Sequence, residues 1–346
     1  MQLIDRVVQF RSEIEQIRRD LHAHPELRFE EVRTSDIVAA KLAEWGLEVT
    51  RGLGGTGVVG TLRTGTSKRA VGLRADMDAL PIQEGNEFAH RSTHAGKMHA
   101  CGHDGHTAML LAAAKYLAES KSAPDSMSGV VHFIFQPAEE GGAGAQRMID
   151  DGLFERFPCD AVFGMHNWPL KCGEFGVAGG PVMASSNEFD IKVLGKGAHA
   201  AMPHLGVDPV FVAVQIVNGL QGIITRVKKP IDSAVLSVTM IQAGEATNVI
   251  PESARISGTV RTFSDEVTAL VEKQMQRIVE MTCAAHGAEA KFDFHWNYPP
   301  TVNDAKEAEF AATVMDDIVG ADNVVRNLEP TMGAEDFSYM LKAKPG

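Results

Sequence analysis

Cysteines, long apolar runs and clusters of basic residues are all scarce in this sequence, and each shortage excludes a class of protein. The chain of 346 residues has four cysteines and no C-x-x-C pair, so we expect reduced thiols rather than a disulfide framework. Nowhere do about 18 apolar residues follow one another, so no transmembrane helix is predicted. The N-terminal stretch interleaves charges with apolar residues, unlike the uncharged core of a signal peptide.

Acidic residues outnumber basic ones, 45 to 33, and the formal net charge is −12. Because nucleic-acid binding depends on clustered Lys and Arg, this balance argues against a nucleic-acid partner. The chain is 44% hydrophobic and 23% charged, which is typical of a globular protein, and its length suits one large domain or two of usual size. We therefore expect a cytoplasmic globular protein that binds neither nucleic acid nor a membrane.

The first half of the chain has an α/β pattern. Two amphipathic helical stretches, 4–21 and 30–45, are followed by β-branched apolar runs that alternate with helical ones, as in βαβ units. The predicted strands are VVGTL, AVGLR, VVHFIF and DAVFGM, and GHTAMLLAAAKYLAES is a predicted helix between the second and the third. The pattern predicts an α/β fold with a parallel sheet.

A different pattern begins at about residue 187. Strand and helix signals then follow in the order β-α-β-β-α-β, which is the ferredoxin-like unit. We therefore predict two domains. One is an α/β domain of residues 1–182 and 297–346, and the other, residues 183–296, is inserted into it.

Acidic side chains and a histidine follow three of the predicted strands. Asp76 and Asp78 come after AVGLR, Glu139 and Glu140 after VVHFIF, and His166 after DAVFGM. In an open α/β sheet, ligands collect beyond the carboxyl ends of the strands. The sequence therefore predicts a site at this edge of the sheet.

The segment HACGHDGH lies just before a predicted helix, at the same edge of the sheet. Alternate residues of an extended segment point the same way, so Cys101 and His103 can reach one region. Crowded acids would repel one another without a cation, and thiolate, imidazole and carboxylate are the ligands of zinc. We therefore predict a divalent metal site, in which His99, Asp104 and His106 support the turn and the helix start.

The adjacent glutamates suit a division of labour at such a site. A metal ion lowers the pKa of bound water from about 15.7 toward about 7. One carboxylate of the pair Glu139 and Glu140 can then bind the metal while the other, left free, accepts the proton. This pattern is typical of a hydrolytic metal centre.

Other interpretations of these motifs fit less well. A nucleophilic Cys101 remains an alternative, but it leaves the acids at the strand ends unexplained. The segment GLGGTG matches a dinucleotide-binding pattern, yet a strand rather than a helix follows it, so we predict a hairpin turn. EEGGAGAQ lacks the G-K-[ST] of a P-loop. His22 and His24 lie near a predicted helix end, where carbonyl capping is the simpler role.

Eight segments spread over nearly the whole chain carry a family resemblance. They are RRDLHAHPEL, GLRADMDALPI, HACGHDGHTAMLL, FQPAEEGGAGA, GMHNWP, GKGAHAAMPH, NVIPESARISGTVRTF and GAEDFSYML. Together they resemble the M20 metallopeptidase superfamily, specifically its M20D amidohydrolases, which include hippurate hydrolases, N-acyl-L-amino acid amidohydrolases and auxin-conjugate hydrolases. The resemblance implies a mixed, largely parallel sheet in the catalytic domain, with the inserted domain as a lid or dimerisation domain. It also implies a homodimer or higher homo-oligomer.

The resemblance also implies an activity and its cofactors. The expected reaction is metal-dependent hydrolysis of the amide bond of N-acyl amino acids, which yields a carboxylic acid and a free amino acid. The expected cofactors are two divalent ions per subunit, with Zn, Mn, Ni and Co as the candidates.

Specific residues take roles from the same resemblance. Cys101 would be the bridging thiolate, His103 and His166 would complete one metal site, and Glu140 would bind the second ion. Glu139 would be the general base and then the acid that protonates the leaving amine. The implied supporting residues are Asp78, which orients a ligand, His199, which polarises the scissile carbonyl, and Asn248 and Arg261, which hold the substrate carboxylate.

Two further expectations accompany the resemblance. Family members continue past GAEDFSYML with a segment of the form L-H-N-P-x-Y-D-F, whose His is the last ligand of the second ion. We expect this segment beyond Gly346, and a protein that truly ended there would be a non-catalytic metal-binding protein. A dipeptidase or an N-acetyl-diaminopimelate deacetylase of the same superfamily is the alternative enzyme.

Overall fold

The computed structural model describes residues 4–123 and 127–346. The chain divides into two compact units. The first contains the chain up to Gly180 together with Val302–Leu328 and Asp336–Gly346, and the second contains Pro181–Thr301 and Glu329–Glu335.

The helices are α1 (Asp5–Gln9), α2 (Arg11–Ala23), α3 (Val32–Glu44), α4 (His103–Ser120), α5 (Glu139–Gly142), α6 (Gly144–Asp150), α7 (Leu153–Arg156), α8 (Pro209–Gly222), α9 (Asp265–His286), α10 (Ala305–Val319) and α11 (Phe337–Ala343). The strands are β1 (Glu48–Leu53), β2 (Gly57–Thr64), β3 (Ala70–Asp76), β4 (Gly129–Gln136), β5 (Ala161–Gly164), β6 (Phe175–Val177), β7 (Gly180–Met183), β8 (Ser186–Leu194), β9 (Ala198–His199), β10 (Ala234–Ala243), β11 (Val249–Ile250), β12 (Ser253–Thr262), β13 (Glu289–Tyr298), β14 (Thr301–Asn303) and β15 (Val324–Arg326).

The first unit is built on a five-stranded sheet with the order β1-β2-β4-β3-β5. Strand β3 runs parallel to β4 and β5, whereas β2 pairs antiparallel with β1 and β4. The sheet is therefore mixed, and its parallel part contains the three strands whose ends were predicted to form the site. The segment GLGGTG forms the β1–β2 hairpin, as predicted, with Gly54 and Gly55 at positive φ, which glycine adopts at little cost.

Both faces of this sheet are covered. On one face, helices α3 and α4 pack their apolar side chains, among them Leu42 and Leu111, against Phe133 and Phe135 of β4. On the other face, Met148 of α6 belongs to a core cluster with residues of β2, β4 and β5. The sequence of β4 is a nearly continuous apolar run because the strand is buried on both faces of the sheet.

The main elements of the second unit follow the order β8-α8-β10-β12-α9-β13. The four strands of this series form an antiparallel sheet with the order β10-β12-β8-β13, which is the ferredoxin-like arrangement. Side chains of Asp208 and Ser264 cap the two helices by accepting backbone N–H bonds. By length and composition alone the segment Pro209–Val227 could cross a membrane, yet in the structure its inner face contributes Ile216 to the core of this unit.

Candidate metal centre

The parallel strands deliver the predicted side chains to one edge of the sheet. Strand β3 ends at Asp76, β4 ends three residues before Glu139, and β5 ends two residues before His166. Helix α4 starts at His103, and Gly102 before it has φ +88°. A Cβ at Gly102 would lie 2.6 Å from the Asn167 side-chain nitrogen, so this turn requires glycine.

Cys101, His103 and His166 form one potential ligand group. Each offers a ligand atom within 4.8 Å of the others. The Cys101 Sγ and His166 Nε2 atoms are 3.4 Å apart although 65 residues separate them in the chain. The structure thus brings together the thiolate and the two imidazoles that the sequence predicted.

His103, Glu139 and Glu140 form a second group with the same close spacing of ligand atoms. The His103 Nε2 atom is 3.9 Å from Glu140 Oε1, and Glu139 is buried. Ala138, just before the pair, has φ 54°, a left-handed conformation that costs a non-glycine residue free energy. Because His103 belongs to both groups, the two potential sites are adjacent and share a residue.

Hydrogen bonds to Nδ1 orient the imidazole rings of His103 and His166, so that their Nε2 atoms face the other potential ligands. Asp78 Oδ1 lies 3.2 Å from His103 Nδ1, and its Oδ2 accepts the Glu140 backbone N–H at 2.9 Å. The His166 Nδ1 lies 2.5 Å from the Asn167 carbonyl oxygen. Asp78 therefore holds both the His103 ring and the backbone N–H of Glu140.

The buried Nε2 of His103 has no hydrogen-bond partner among residues 4–123 and 127–346. A buried nitrogen without a partner is costly, and a cation would satisfy its lone pair. The surrounding thiolate, imidazoles and carboxylates are borderline-soft ligands that suit zinc and neighbouring transition metals. The residues present therefore fit a divalent ion.

Burial and charge both act on the ionisable groups of the cluster. Burial alone would lower the pKa of His103, but the carboxylates of Asp76 and Asp78 raise it well above its ordinary value. Burial raises the pKa of Glu140, and the charge of His103 partly offsets this. Despite burial, His103, Arg74 and His106 hold the pKa of Asp76 well below its usual range. The site is thus strongly polarised even without an ion.

Sequence reasoning missed a buried polar network beneath the cluster. Arg74, Gln136 and Asp336 are hydrogen-bonded to one another, and Asp76 joins them through Arg74. The sequence did contain a signal for this network, namely the arginine at the end of the apolar strand AVGLR. A charged side chain buried in a strand requires a polar partner. The partner Asp336 lies 262 residues away from Arg74, which no local pattern indicates.

His22 and His24 make structural contacts at the end of α2. His24 Nδ1 lies 2.8 Å from the Asp20 carbonyl oxygen, which is the predicted helix-end contact. The same prediction is wrong for His22, whose ring bridges the Asp104 and Glu84 carboxylates at 3.1 and 3.2 Å. This bridge ties α2 to the first turn of α4, so Asp104 supports the helix start.

The remaining predicted residues lie in the second unit. Exposed His199 on β9 pairs with Val249 of β11, and the Asn248 carbonyl accepts the Ala200 N–H at 3.0 Å, so His199 and Asn248 are close. Arg261 is half-buried on β12, and burial lowers its pKa.

Comparison with known proteins is consistent with this arrangement. The model of peptidase family M20/M25/M40 matches residues 72–346. A hippurate hydrolase of Campylobacter jejuni is 41% identical over 99% of this chain and 89% of that protein. An N-acyl-L-amino acid amidohydrolase of Geobacillus stearothermophilus is 45% identical over 83% of this chain and 76% of that protein.

A solved structure extends the likeness to the fold. It is a dinuclear metal-binding peptidase of the M20 family from Bacillus subtilis, with TM-score 0.84 and 37% identity over 98% of this chain and 87% of that one. The sequence match, the shared fold and the clustered ligands agree, and the chain belongs to peptidase family M20/M25/M40.

Proposed function

We propose that this protein is a metal-dependent hydrolase that cleaves the amide bond of N-acyl amino acids of the hippurate type. The products are a carboxylic acid and a free amino acid. The observation that carries the proposal is the position of His103. This residue belongs to two sets of potential metal ligands, one with Cys101 and His166 and the other with Glu139 and Glu140. The activities after which the two relatives are named, hippurate hydrolase and N-acyl-L-amino acid amidohydrolase, support the choice of substrate.

Two divalent ions fit the two adjacent groups. Cys101, His103 and His166 would hold one ion, Glu140 would hold the other, and the Cys101 thiolate would bridge them. The bridging role is supported by the position of Cys101, whose Sγ lies within 4.8 Å of ligand atoms of both His103 and His166. A thiolate favours Zn, Ni or Co, and Mn completes the candidates.

The chemistry needs a proton carrier beside the ligands. Ions bound here would supply Lewis acidity and make water a better nucleophile near neutral pH. Glu139, which is buried and bonded to the Asp336 backbone N–H at 3.4 Å, accepts the proton from the attacking water. The same carboxyl group then returns that proton to the amide nitrogen, so the amine leaves neutral and Glu139 is regenerated.

Residues of the second unit would bind the substrate. His199, which is exposed and near Asn248, takes the role of polarising the scissile carbonyl in this proposal. Asn248 and Arg261 would hold the substrate carboxylate, and a planar guanidinium matches that anion with two parallel hydrogen bonds.

A homodimer or higher homo-oligomer in the cytoplasm belongs to the same proposal. Strand β10 is an edge of the second unit's sheet and exposes Met240 and Ile241. An exposed apolar edge strand is a surface that a second copy can cover. Light scattering that shows a strict monomer at all concentrations would contradict this part of the proposal.

Chelation and metal repletion test the proposed activity. We expect hydrolysis of hippurate and N-acetyl amino acids to disappear on incubation with a chelator and to return with Zn, Mn, Ni or Co. A panel that includes dipeptides and N-acetyl-diaminopimelate compares the alternative substrates. Activity indifferent to the chelator, or faster turnover of a dipeptide or of N-acetyl-diaminopimelate, would contradict the proposal.

A further inference from the structure

Arg74 is an arginine buried at the carboxyl end of β3, with 5% of its side chain exposed. Its Nη1 donates to Asp76 Oδ2 at 2.8 Å, its Nε to Gln136 Oε1 at 2.7 Å and its Nη2 to Asp336 Oδ1 at 3.1 Å. Both carboxylates are fully buried, so each needs this positive charge close by. One rigid guanidinium therefore fixes two acidic groups from distant parts of the chain.

One connection from Arg74 leads to the proposed base. Asp336 is held further by Gln136 Nε2 at 2.7 and 2.9 Å and by the Ala145 N–H at 2.9 Å. The backbone N–H of the same Asp336 donates to Glu139 Oε1 at 3.4 Å. The position of Asp336 therefore bears directly on the position of the Glu139 carboxylate.

The other connection leads to a proposed ligand. Asp76 Oδ1 lies 2.6 Å from His106 Nδ1, and His106 Nε2 accepts the Asn167 N–H at 2.8 Å. The Asn167 carbonyl in turn contacts His166 Nδ1 at 2.5 Å. The contacts form an unbroken series from Arg74 to the ring of His166.

We propose that Arg74 is a positioning residue that sets the distance and orientation between the base Glu139 and the ligand His166. It acts through Asp336 on one side and through Asp76, His106 and Asn167 on the other. The inference rests on the proposed function, because it takes Glu139 as the base and His166 as a ligand. Catalytic groups must be held within about 0.5 Å of their productive positions. Lysine would keep the positive charge of Arg74 but lacks the planar guanidinium that donates to Asp76, Gln136 and Asp336 at once.

The first test is Arg74→Lys, measured by steady-state kinetics and by competition for Zn²⁺ with a chromophoric chelator. We expect kcat at saturating metal to fall about 10- to 100-fold with little change in KM, and Zn²⁺ affinity to fall about 10-fold. The matched control is Arg326→Lys, since Arg326 also joins two carboxylates, Glu309 and Asp316, but at the surface. That control should match the wild type in both measurements.

Two milder variants separate the two connections. Asp336→Asn should lower kcat and leave Zn²⁺ affinity unchanged, whereas His106→Gln should lower Zn²⁺ affinity. Circular dichroism and thermal unfolding establish that each variant is folded. If Arg74→Lys does not fold, these two variants decide the question on their own.

Specific results would overturn the inference. A folded Arg74→Lys protein with wild-type kcat and Zn²⁺ affinity would do so, as would Asp336→Asn with unchanged kcat or His106→Gln with unchanged Zn²⁺ affinity. The failure of the proposed function is distinguishable, because it appears as a wild type without chelator-sensitive hydrolysis. In that case the Zn²⁺ affinities of Arg74→Lys and His106→Gln still test the connection to His166.

Discussion

Asp78 Oδ1 lies 3.2 Å from His103 Nδ1. A carboxylate accepts a hydrogen bond, so in the neutral ring, the form that binds a metal, this contact places the proton on Nδ1 and the lone pair on Nε2. The Nε2 atom is buried and faces Glu140 Oε1 at 3.9 Å. In the proposed metal centre, Asp78 would thus prepare His103 to bind an ion.

Replacing Asp78 tests whether this residue orients His103 for metal binding. Asp78→Asn keeps the size of the side chain but removes the charge that fixes the imidazole, so we expect Zn²⁺ affinity to fall about 10- to 100-fold. Chelator competition measures the change. Asp160→Asn is the control, because Asp160 also accepts a backbone N–H, from Ala70, but at the surface. Equal affinities in wild type and Asp78→Asn would refute the assigned role.

Removing the proposed base separates catalysis from metal binding. Glu139→Gln cannot take up a proton, so we expect kcat to fall by about 100-fold or more while the bound metal content stays at the wild-type level. Kinetics and elemental analysis on the same preparation give both quantities. Glu155→Gln, at an exposed glutamate of α7, should change neither. Wild-type turnover by Glu139→Gln would show that another group carries the proton.

Replacing the proposed bridging thiolate should change the metal preference. Cys101→Ser substitutes a hard oxygen for a soft sulfur, so Zn²⁺ affinity should fall about 10-fold or more and Mn²⁺ affinity should fall less. Competition titrations with both ions measure the ratio. The exposed Cys172 provides the control variant Cys172→Ser. If the two affinities fall equally, the thiolate does not set the preference.

Arg261 should matter only for substrates with a free carboxylate. Arg261→Lys loses the bidentate contact, so we expect KM for hippurate to rise about 10-fold and KM for its carboxamide to stay nearly constant. The control Arg255→Lys lies on the same strand but pairs with Asp190 at the surface. An equal rise in KM for both substrates would point to a structural effect instead.

The stability of the protein should decrease at mildly acidic pH because of His132. Burial lowers the pKa of His132, which also contacts Thr61 Oγ1 at 2.9 Å. Above its ordinary pKa of about 6.5 the histidine is neutral in both states and contributes no pH dependence. Below that value the unfolded chain binds a proton that the folded chain does not, so the free energy of unfolding falls as pH falls.

Urea unfolding at several pH values between about 7.5 and 5 measures this effect. His132→Gln should be less stable at neutral pH but show a smaller loss on acidification. His204→Gln, at an exposed histidine, is the control and should keep the wild-type slope. A His132→Gln protein with the wild-type slope would assign the pH dependence to other groups.

Secondary structure was predictable where burial leaves a strong pattern. The second helix of the predicted β-α-β-β-α-β unit is α9, whose start is capped by Ser264 and whose end is followed by Gly287 at φ 69°. The short strands β6 and β15, which pair with each other, were not predicted. Three residues are too few to show an alternating pattern, and their pairing joins distant parts of the chain.

The sequence by itself determined which side chains could serve the site and at which edge of the sheet they would gather. This followed because parallel strands place their carboxyl ends together, so that Glu139, Glu140 and His166 had to approach one another. Only the tertiary structure decided the pairings, such as His103 with Asp78 and Arg74 with Asp336. These depend on strand register and on how remote segments pack, neither of which any local periodicity encodes.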